Sequence, residues 1–390
     1  MKIIAVNAGS SSLKFQLFEM PSEEVITKGL VERIGSNKAV FTIEVDGEKV
    51  VTKTPIKDHK VAVSMLFEAL SKHKIIKDLE EIKGVGHRVV QGGEKFLEST
   101  LITDEVVEEV RKLNPLAPLH NPANIIGIES FRKALPNVKQ VAVFDTTFHT
   151  TMPRENFMYA TPYEWYEKYG VRKYGFHGTS HQYVSERAIE LLGREESKII
   201  VLHLGNGASL SAVLNGKSID TTMGLTPLEG IPMGTRSGNI DPAILGLVQQ
   251  EENLSLTELL EVLNKKSGYL GVSGKYTDNR DIVAEMNNGC DRCKLALDIQ
   301  IKRIVDYIGS YYVLMGGLDA LVFTAGIGEN SWEVRELICN KLEVLGVKLS
   351  EKKNKTRGLE EINCCESKVK VYAIKTDEEV MIAREVLRVK

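Results

Sequence analysis

Lys2-Ile-Ile-Ala-Val-Asn-Ala-Gly-Ser-Ser-Ser-Leu-Lys-Phe-Gln-Leu-Phe18 reads as an apolar strand, a turn of small polar residues and a second strand. In the second strand Leu13, Phe15 and Leu17 alternate with Lys14 and Gln16, the period of two expected of a half-buried strand. The turn Asn7-Ala8-Gly9-Ser10-Ser11-Ser12 crowds backbone N–H groups, hydroxyls and one carboxamide together, and such a turn can cradle a phosphate. It lacks the Gly-Lys-Ser/Thr ending of a P-loop, and no helical pattern follows it. Any nucleotide it serves therefore lies over a hairpin, which excludes the commonest nucleotide-binding folds. Small residues also build tight turns that hold no ligand, so the turn alone leaves both readings open.

A chain of 390 residues favours two or three domains with ample core. It is 43% hydrophobic and 26% charged, with a formal net charge of -3 and no dense basic block, so nucleic acid and anionic membrane are not expected partners. The apolar run Ile3 to Val6 is too short for a signal-peptide core, and no apolar segment approaches the ~20 residues of a membrane span. A cytoplasmic protein with small-molecule substrates is the expectation. Of the five cysteines, Cys290 and Cys293 form a single CxxC without a second pair, and Cys364 and Cys365 are adjacent. All five are read as reduced thiols.

Past the first strand pair, Arg33 to Pro55 reads as a polar hairpin turning at Asp46-Gly47, expected as an exposed flap. A helical stretch covers about His59 to His73. A strand follows in GVGHRVVQGG, with flanking glycines marking its ends, and another, VKQVAVFDTTFH, ends on Asp145, where ligands gather in an open α/β sheet. Residues 150 to 176, rich in Met, Pro, Tyr and Trp, mark a domain junction. Beyond it Lys198 to Leu210, KIIVLHLGNGASL, lays over Lys2 to Leu13 with one extra residue, and Asn215-Gly216 closes the next hairpin. Two related lobes facing each other across a cleft are expected. An amphipathic helix spans about Arg292 to Leu314, with Leu295, Ile299, Ile304 and Ile308 near one face. It leads to a strand and the glycine turn Gly326-Ile-Gly328, with Asn330 expected to cap the next helix. The chain closes with strand VKVYAI and helix MIAREVLRV.

Two segments concentrate donors beside glycine: Tyr174-Gly-Phe-His177-Gly-Thr-Ser-His181 and Gly230-Ile-Pro-Met-Gly-Thr-Arg236-Ser-Gly-Asn-Ile-Asp-Pro242. An arginine between glycines keeps its planar fork for an anion, and phosphoryl transfer needs such donors around the moving group. Each segment seen singly is better read as structural. Together with the N-terminal turn and Asp145 they point to phosphoryl transfer.

VNAGSSSLKF, GHRVVQGG, AVFDTTFH, YGFHGTSH, HLGNGAS, MGTRSGNIDP and FTAGIGEN, in this order along nearly the whole chain, resemble the acetate kinase family. The resemblance implies an α/β fold of two actin-like, ribonuclease H-like lobes from a duplicated βββαβα-type core with a nucleotide cleft between them. The expected lobes are 1–149 joined by a helix at about 381–390, and 150–380. It also implies ATP and ADP as cosubstrate, Mg2+ or alternatively Mn2+, a homodimer, and reversible transfer of the ATP γ-phosphoryl group to acetate, giving acetyl phosphate. Carried over by position, it puts Asn7 and Glu379 at the cation and Ser10, Ser12 and Lys14 on the phosphates. Arg88 and Arg236 flank the carboxylate and the transferring group, with His177 stabilising the transition state. His203, Leu204, Gly205, Asn206, Gly207, Asp278, Asn279, Arg280, Gly326, Ile327, Gly328, Glu329 and Asn330 line the nucleotide. Val90, Leu119 and Pro227 wall the acyl pocket.

The family pattern gives Asp145 a proton-transfer role, but acetate is ionised at neutral pH and no proton needs removal, so a water-mediated cation ligand is expected instead. Glu379 stands three residues after Thr376, the capping-box spacing, which offers a structural reading beside cation binding. The stretch Tyr276 to Arg280 and Pro232 depart from the family pattern. Alternatives kept open are a propionate or butyrate kinase, and a non-enzymatic actin-like ATP switch.

Overall fold

The computed structural model describes residues 1–390. Its first sheet has eight strands: β1 (Lys2–Ala8), β2 (Ser12–Glu19), β3 (Glu24–Glu32), β4 (Val40–Val45), β5 (Glu48–Lys53), β6 (Ile82–Val89), β7 (Thr100–Leu101) and β8 (Lys139–Phe144). They lie in the order β5-β4-β3-β2-β1-β6-β8-β7. β1 runs antiparallel to β2 and parallel to β6, which is parallel to β8. Helices cover both faces of the parallel part, which explains why β1 and β8 are nearly continuous apolar runs. On one face Ala62, Val63, Leu66 and Leu70 of helix His59–Lys72 pack with Ile4, Val6, Leu13 and Phe15.

The other face takes the C-terminal helix Glu378–Arg388. Gly84 and Gly86 sit two apart on β6 and so share a face. A Cβ there would stand 2.5 Å from Val386 Cγ1 and 2.4 Å from Ile382 Cγ2, so the missing side chains admit the helix. The strand was expected to be bounded by glycines. Instead it begins at Ile82, and its internal glycines serve helix packing. The helix itself starts about a turn earlier than residue 381, because Asp377 caps it by accepting from the Val380 N–H at 2.9 Å. The hairpin β4–β5 is not a flap. Phe41 and Ile43 belong to the core, and Phe41 stacks on Phe15, so the hairpin extends the sheet. Asp46 and Gly47 take φ of 51° and 81°, as a two-residue type I′ turn demands.

The second sheet contains β9 (Lys198–Leu204), β10 (Ala208–Leu214), β11 (Lys217–Thr221), β12 (Ala320–Thr324) and β13 (Lys370–Ala373), in the order β11-β10-β9-β12-β13. β9 is antiparallel to β10 and parallel to β12, which is parallel to β13. This repeats the arrangement β3-β2-β1-β6-β8, so the repeat read between Lys2 and Lys198 is a duplication of sheet topology. Asn215 and Gly216 form the hairpin turn with φ of 50° and 76°. Helix Gly178–Leu192 lays Val184 and Ala188 on Ile199 and Val201.

The long helix is Asp291–Met315, buried along Cys293, Leu297, Gln300, Ile304, Ile308, Tyr311 and Met315. Leu295, expected on that stripe, is exposed: two residues from both Cys293 and Leu297, it points about 200° away from each. The chain divides into two units, Met1–Thr147 with Asp377–Lys390, and Phe148–Thr376. No helix is long and apolar enough to cross a membrane.

Candidate active site

In the first unit the parallel strands β6 and β8 end side by side and deliver Arg88 and Asp145. Arg88 Nε and Nη2 donate to Asp145 Oδ1 and Oδ2 at 2.8 and 2.6 Å, a bidentate pair whose carboxylate is 1% exposed. Burial disfavours the charged guanidinium, but the Asp145 charge, its hydrogen bonds and the charges of Glu378 and Glu379 reverse this and hold the Arg88 pKa above its ordinary value. Both carboxylate oxygens are thus engaged by Arg88.

Val90, two residues on, is buried, and its N–H donates to Asn124 Oδ1 at 3.1 Å. Asn124 Nδ2 in turn donates to the Ala8 carbonyl at 2.8 Å, and the His59 ring meets the Gly9 carbonyl at 2.8 Å. Side chains from two helices therefore fix both the segment after Arg88 and the serine turn. Ser10 is exposed and Ser12 partly so. Lys14 faces Asn7 across the β1–β2 pair, and its ammonium pairs with the Glu379 carboxylate. The capping box read at Thr376 and Glu379 does not form. Asp377 is the cap, and Thr376 Oγ1 meets Ser180 Oγ at 2.8 Å. Leu119 is 67% exposed.

In the second unit His177 precedes helix Gly178–Leu192 with left-handed backbone angles of φ 58° and ψ 23°. Its Nδ1 lies 2.8 Å from Ser209 Oγ, and the same oxygen lies 2.8 Å from His181 Nε2, one turn along the helix. The His203 ring stacks on His177 with centroids 4.1 Å apart, and its Nδ1 meets Ser180 Oγ at 2.8 Å. His149 completes the cluster, 5.6 Å from the His181 ring, with its Nε2 on the Phe176 carbonyl and its Nδ1 on Ser218 Oγ, both at 2.9 Å. Burial pushes His149 down to about 4, partly opposed by the Phe176 carbonyl. It pushes His181 well below its ordinary value, with His149 and His203 adding to the effect.

A Cβ on Gly207 would stand 3.3 Å from His177 Nε2 and 3.5 Å from Arg236 Nη1, so this glycine faces both groups. Arg236 hydrogen-bonds the Pro227 carbonyl at 3.2 Å and the Met233 sulfur at 3.5 Å, with no carboxylate against it, and burial alone lowers its pKa. A half-buried cation without a counter-charge, beside an imidazole, is a site built for an anion.

The predicted nucleotide segments converge around this point. His203 and Leu204 end β9, and the turn Gly205-Asn206-Gly207 closes with a Gly205 N–H to Gly207 carbonyl bond of 3.1 Å. A Cβ on Gly205 would lie 3.7 Å from Ala325 Cβ, and one on Gly234 would meet Asn206 Oδ1 at 2.4 Å and the Thr277 carbonyl at 2.8 Å. Asp278 caps helix Asn279–Asn287 and pairs with the exposed Arg280 at 2.6 Å. Asn279 does not join them: it is 5% exposed and its Nδ2 donates to the Tyr269 hydroxyl at 3.1 Å, a structural contact. Gly326 to Asn330 lie within the short helix Ala325–Asn330, which follows β12 directly. Ile327 and Glu329 are partly buried and Gly328 is buried, whereas Gly326 and Asn330 are exposed. Asn330 is not the cap of the next helix, Trp332–Cys339. Ser331 is, because its hydroxyl reaches the Val334 N–H. Glu329 Oε1 accepts from the Thr376 N–H at 3.1 Å.

Several supporting residues escaped the sequence reading. Arg335, 4% exposed, donates to the carbonyls of Gly328 and Glu329 at 2.8 and 2.9 Å and holds that short helix in place. Nothing local marks it. Ser209 and His181 lie inside the HLGNGAS and YGFHGTSH motifs, and the four-residue spacing between His177 at the cap and His181 within the helix was the available signal.

The acetokinase family model matches residues 2–384. An acetate kinase of Acholeplasma laidlawii is 64% identical over 389 residues, covering 100% of this chain and 99% of that protein. An acetate kinase of Bacillus cereus is 59% identical over 390 residues, covering 99% of this chain and 98% of that protein. Among solved structures, Porphyromonas gingivalis acetate kinase superposes with a TM-score of 0.95 at 46% identity, covering 100% of this chain and 99% of that one. A propionate kinase from Francisella tularensis gives 0.95 at 42% identity, with 100% of both chains covered. A family match over nearly the whole length, and relatives this similar, establish that the chain belongs to the acetokinase family.

Proposed function

We propose that the protein is an acetate kinase, transferring the γ-phosphoryl group of ATP reversibly to acetate to give acetyl phosphate and ADP. The observation that carries the reading is the Arg236 guanidinium, uncompensated and facing Gly207 together with His177 Nε2. Acetate is already ionised at neutral pH, so its oxygen attacks phosphorus without a general base. The new O–P bond forms as the bond from phosphorus to the β-phosphate oxygen breaks, in line and without a phosphoenzyme. The difficulty is the meeting of two anions. Arg236 and His177 supply positive potential and a hydrogen bond to the equatorial oxygens, and Arg88 takes the carboxylate.

Asp145 is assigned here to hold Arg88 in orientation rather than to bind the cation, because both of its oxygens accept from the guanidinium. Val90, Leu119 and Pro227 are assigned to the acyl group. Ser10, Ser12, Lys14, the turn His203 to Gly207, Asp278, Arg280 and Gly326 to Asn330 are assigned to the nucleotide. Asn7 and Glu379 offer the hard oxygen ligands that suit Mg2+ or Mn2+, with phosphate oxygens and water to complete the shell. When bound, such a cation neutralises phosphate charge.

The family resemblance adds a homodimer, and a cytoplasmic location is carried over from the sequence expectation. Helix Ala243–Glu252 has no buried residue and exposes Ile244 and Leu247, beside Leu256 and Leu260 of helix Leu256–Lys265. A second copy covering this apolar face would account for it. Sedimentation velocity should give twice the chain mass, and a monomer would refute the assembly.

Trapping acyl phosphate with hydroxylamine tests the function. The purified protein with ATP, Mg2+ and acetate should form the hydroxamate, and parallel reactions with propionate and butyrate measure acyl preference, since one methylene is worth only ~1–3 kcal/mol. ATP hydrolysis without any hydroxamate would instead identify an ATP-driven switch.

A further inference from the structure

Ser209 Oγ is 0% exposed and stands 2.8 Å from two imidazole nitrogens, His177 Nδ1 and His181 Nε2. A hydroxyl has one proton and two lone pairs, and because the buried Ser209 Oγ has no third partner, accepting from both rings would orphan its own proton; Ser209 therefore donates to one ring and accepts from the other. The choice between the two directions is made at the far side of His181. Its Nδ1 is buried and has no hydrogen-bond partner, and the ring is 0% exposed.

If Ser209 donated to His181 Nε2, the neutral His181 would carry its proton on Nδ1 and bury an N–H with no acceptor. Orphaned buried donors are rare because they forfeit their hydration outright. In the opposite direction His181 holds its proton on Nε2 and donates to Ser209 Oγ, and the Ser209 hydroxyl donates to His177 Nδ1. That nitrogen must then be bare, so the His177 proton is on Nε2, the nitrogen facing Gly207 and Arg236 Nη1. His149 is fixed by Phe176 and Ser218, and His203 meets Ser180. No group of these residues is arranged to hold a metal.

We propose that His181 and Ser209 are positioning residues which, through a one-directional hydrogen-bond relay, hold His177 as the Nε2–H tautomer and so present a neutral donor beside Arg236. A protonated His177 would donate from Nδ1 to Ser209. Either the relay then turns round and strands the His181 N–H, or Ser209 accepts from both rings and strands its own proton, and the relay therefore also opposes protonation at His177. Arg236, His181 and His203 face His177, with His149 behind His181. This inference rests on the kinase reading for its catalytic consequence, but the tautomer itself does not.

The test is nitrogen NMR of histidine-labelled full-length protein, which distinguishes protonated from bare ring nitrogens, combined with pH profiles of kcat. In the unsubstituted protein His177 should show a protonated Nε2 and a bare Nδ1. His181→Leu leaves His177 Nδ1 as the one remaining partner of Ser209, which can then either donate or accept, so both His177 tautomers should be populated. His181→Gln keeps a donor and should restore Nε2–H. Ser209→Ala, which removes a single oxygen, should give a tautomer mixture. It should also lower kcat by about tenfold or more, with KM values changed by less than about twofold, and move the acid limb of the kcat profile.

A protonated Nδ1 on His177 in the unsubstituted protein, or a tautomer and acid limb unaffected by Ser209→Ala, would overturn the proposal. Failure of the unsubstituted protein to form acyl phosphate would overturn the kinase reading alone, since the NMR result is read without turnover.

Discussion

Two arginines assigned to the same chemistry differ in what surrounds them, and that difference predicts opposite costs of removal. Arg88 neutralises a carboxylate that is 1% exposed, so Arg88→Ala strands a buried charge and should destabilise the fold by roughly 3–5 kcal/mol. Arg236 has no counter-charge, and Arg236→Ala removes an unfavourable desolvation, so denaturant unfolding should show little or no loss of stability. Its cost should fall on catalysis, about 10²-fold or more in kcat. A rise in KM alone would remove Arg236 from the transition state. Asp145→Asn separates the two readings of that residue. If Asp145 orients Arg88, kcat falls while the Mg2+ concentration for half-saturation stays put, whereas a severalfold rise in that concentration would return Asp145 to the cation.

At the scale of elements, the contact between β6 and the C-terminal helix joins packing to the site. Gly86 has no room for a methyl group, with Ile382 Cγ2 at 2.4 Å and Val386 Cγ2 at 2.9 Å from the place it would occupy. The same helix carries Glu379, which pairs with Lys14, and β6 carries Arg88 two residues on. Gly86→Ala should therefore lower stability by about 1–3 kcal/mol and reduce turnover together. Unfolding midpoints and kcat measured on one preparation check this, and unchanged values for both would show that the helix simply shifts. The serine turn is a comparable device. Asn124 and His59 hold its carbonyls, so its geometry comes from helices 116 and 50 residues away in sequence.

For the whole molecule, buried neutral imidazoles in both units set an acid limit on stability. Burial, partly offset by Gln140, pushes His87 of the first unit down to about 4, and His149 of the second is also held at about 4. His181 is likewise held well below its ordinary value. In the unfolded chain each titrates near 6.5, so between that pH and 4 the unfolded state binds more protons, and stability falls as pH falls. The loss begins near 6.5, is complete for His87 and His149 below 4, and reaches about 3 kcal/mol for each. Unfolding free energy should drop measurably from pH 7 to pH 5. Equal or greater stability at pH 5 would show that these rings are not buried as neutral groups.

Reading the residues in order was enough to find the strand, turn and strand at Lys2 to Phe18, its echo at Lys198 to Leu210, and the motifs that gather at Gly207. These depend on local periodicity and on glycine and serine chemistry, which a sequence displays directly. It was not enough to show that Gly84 and Gly86 admit a helix from the far end of the chain. Nor did it show that Asn279 is spent on Tyr269, that Leu295 faces outward, that Asp377 rather than Thr376 caps the last helix, or that one serine joins two histidines. Each of these depends on which distant atom arrives within a few ångströms. Only the folded chain decides that, because hydrogen bonds and packing act through space at short range, whatever the separation in sequence.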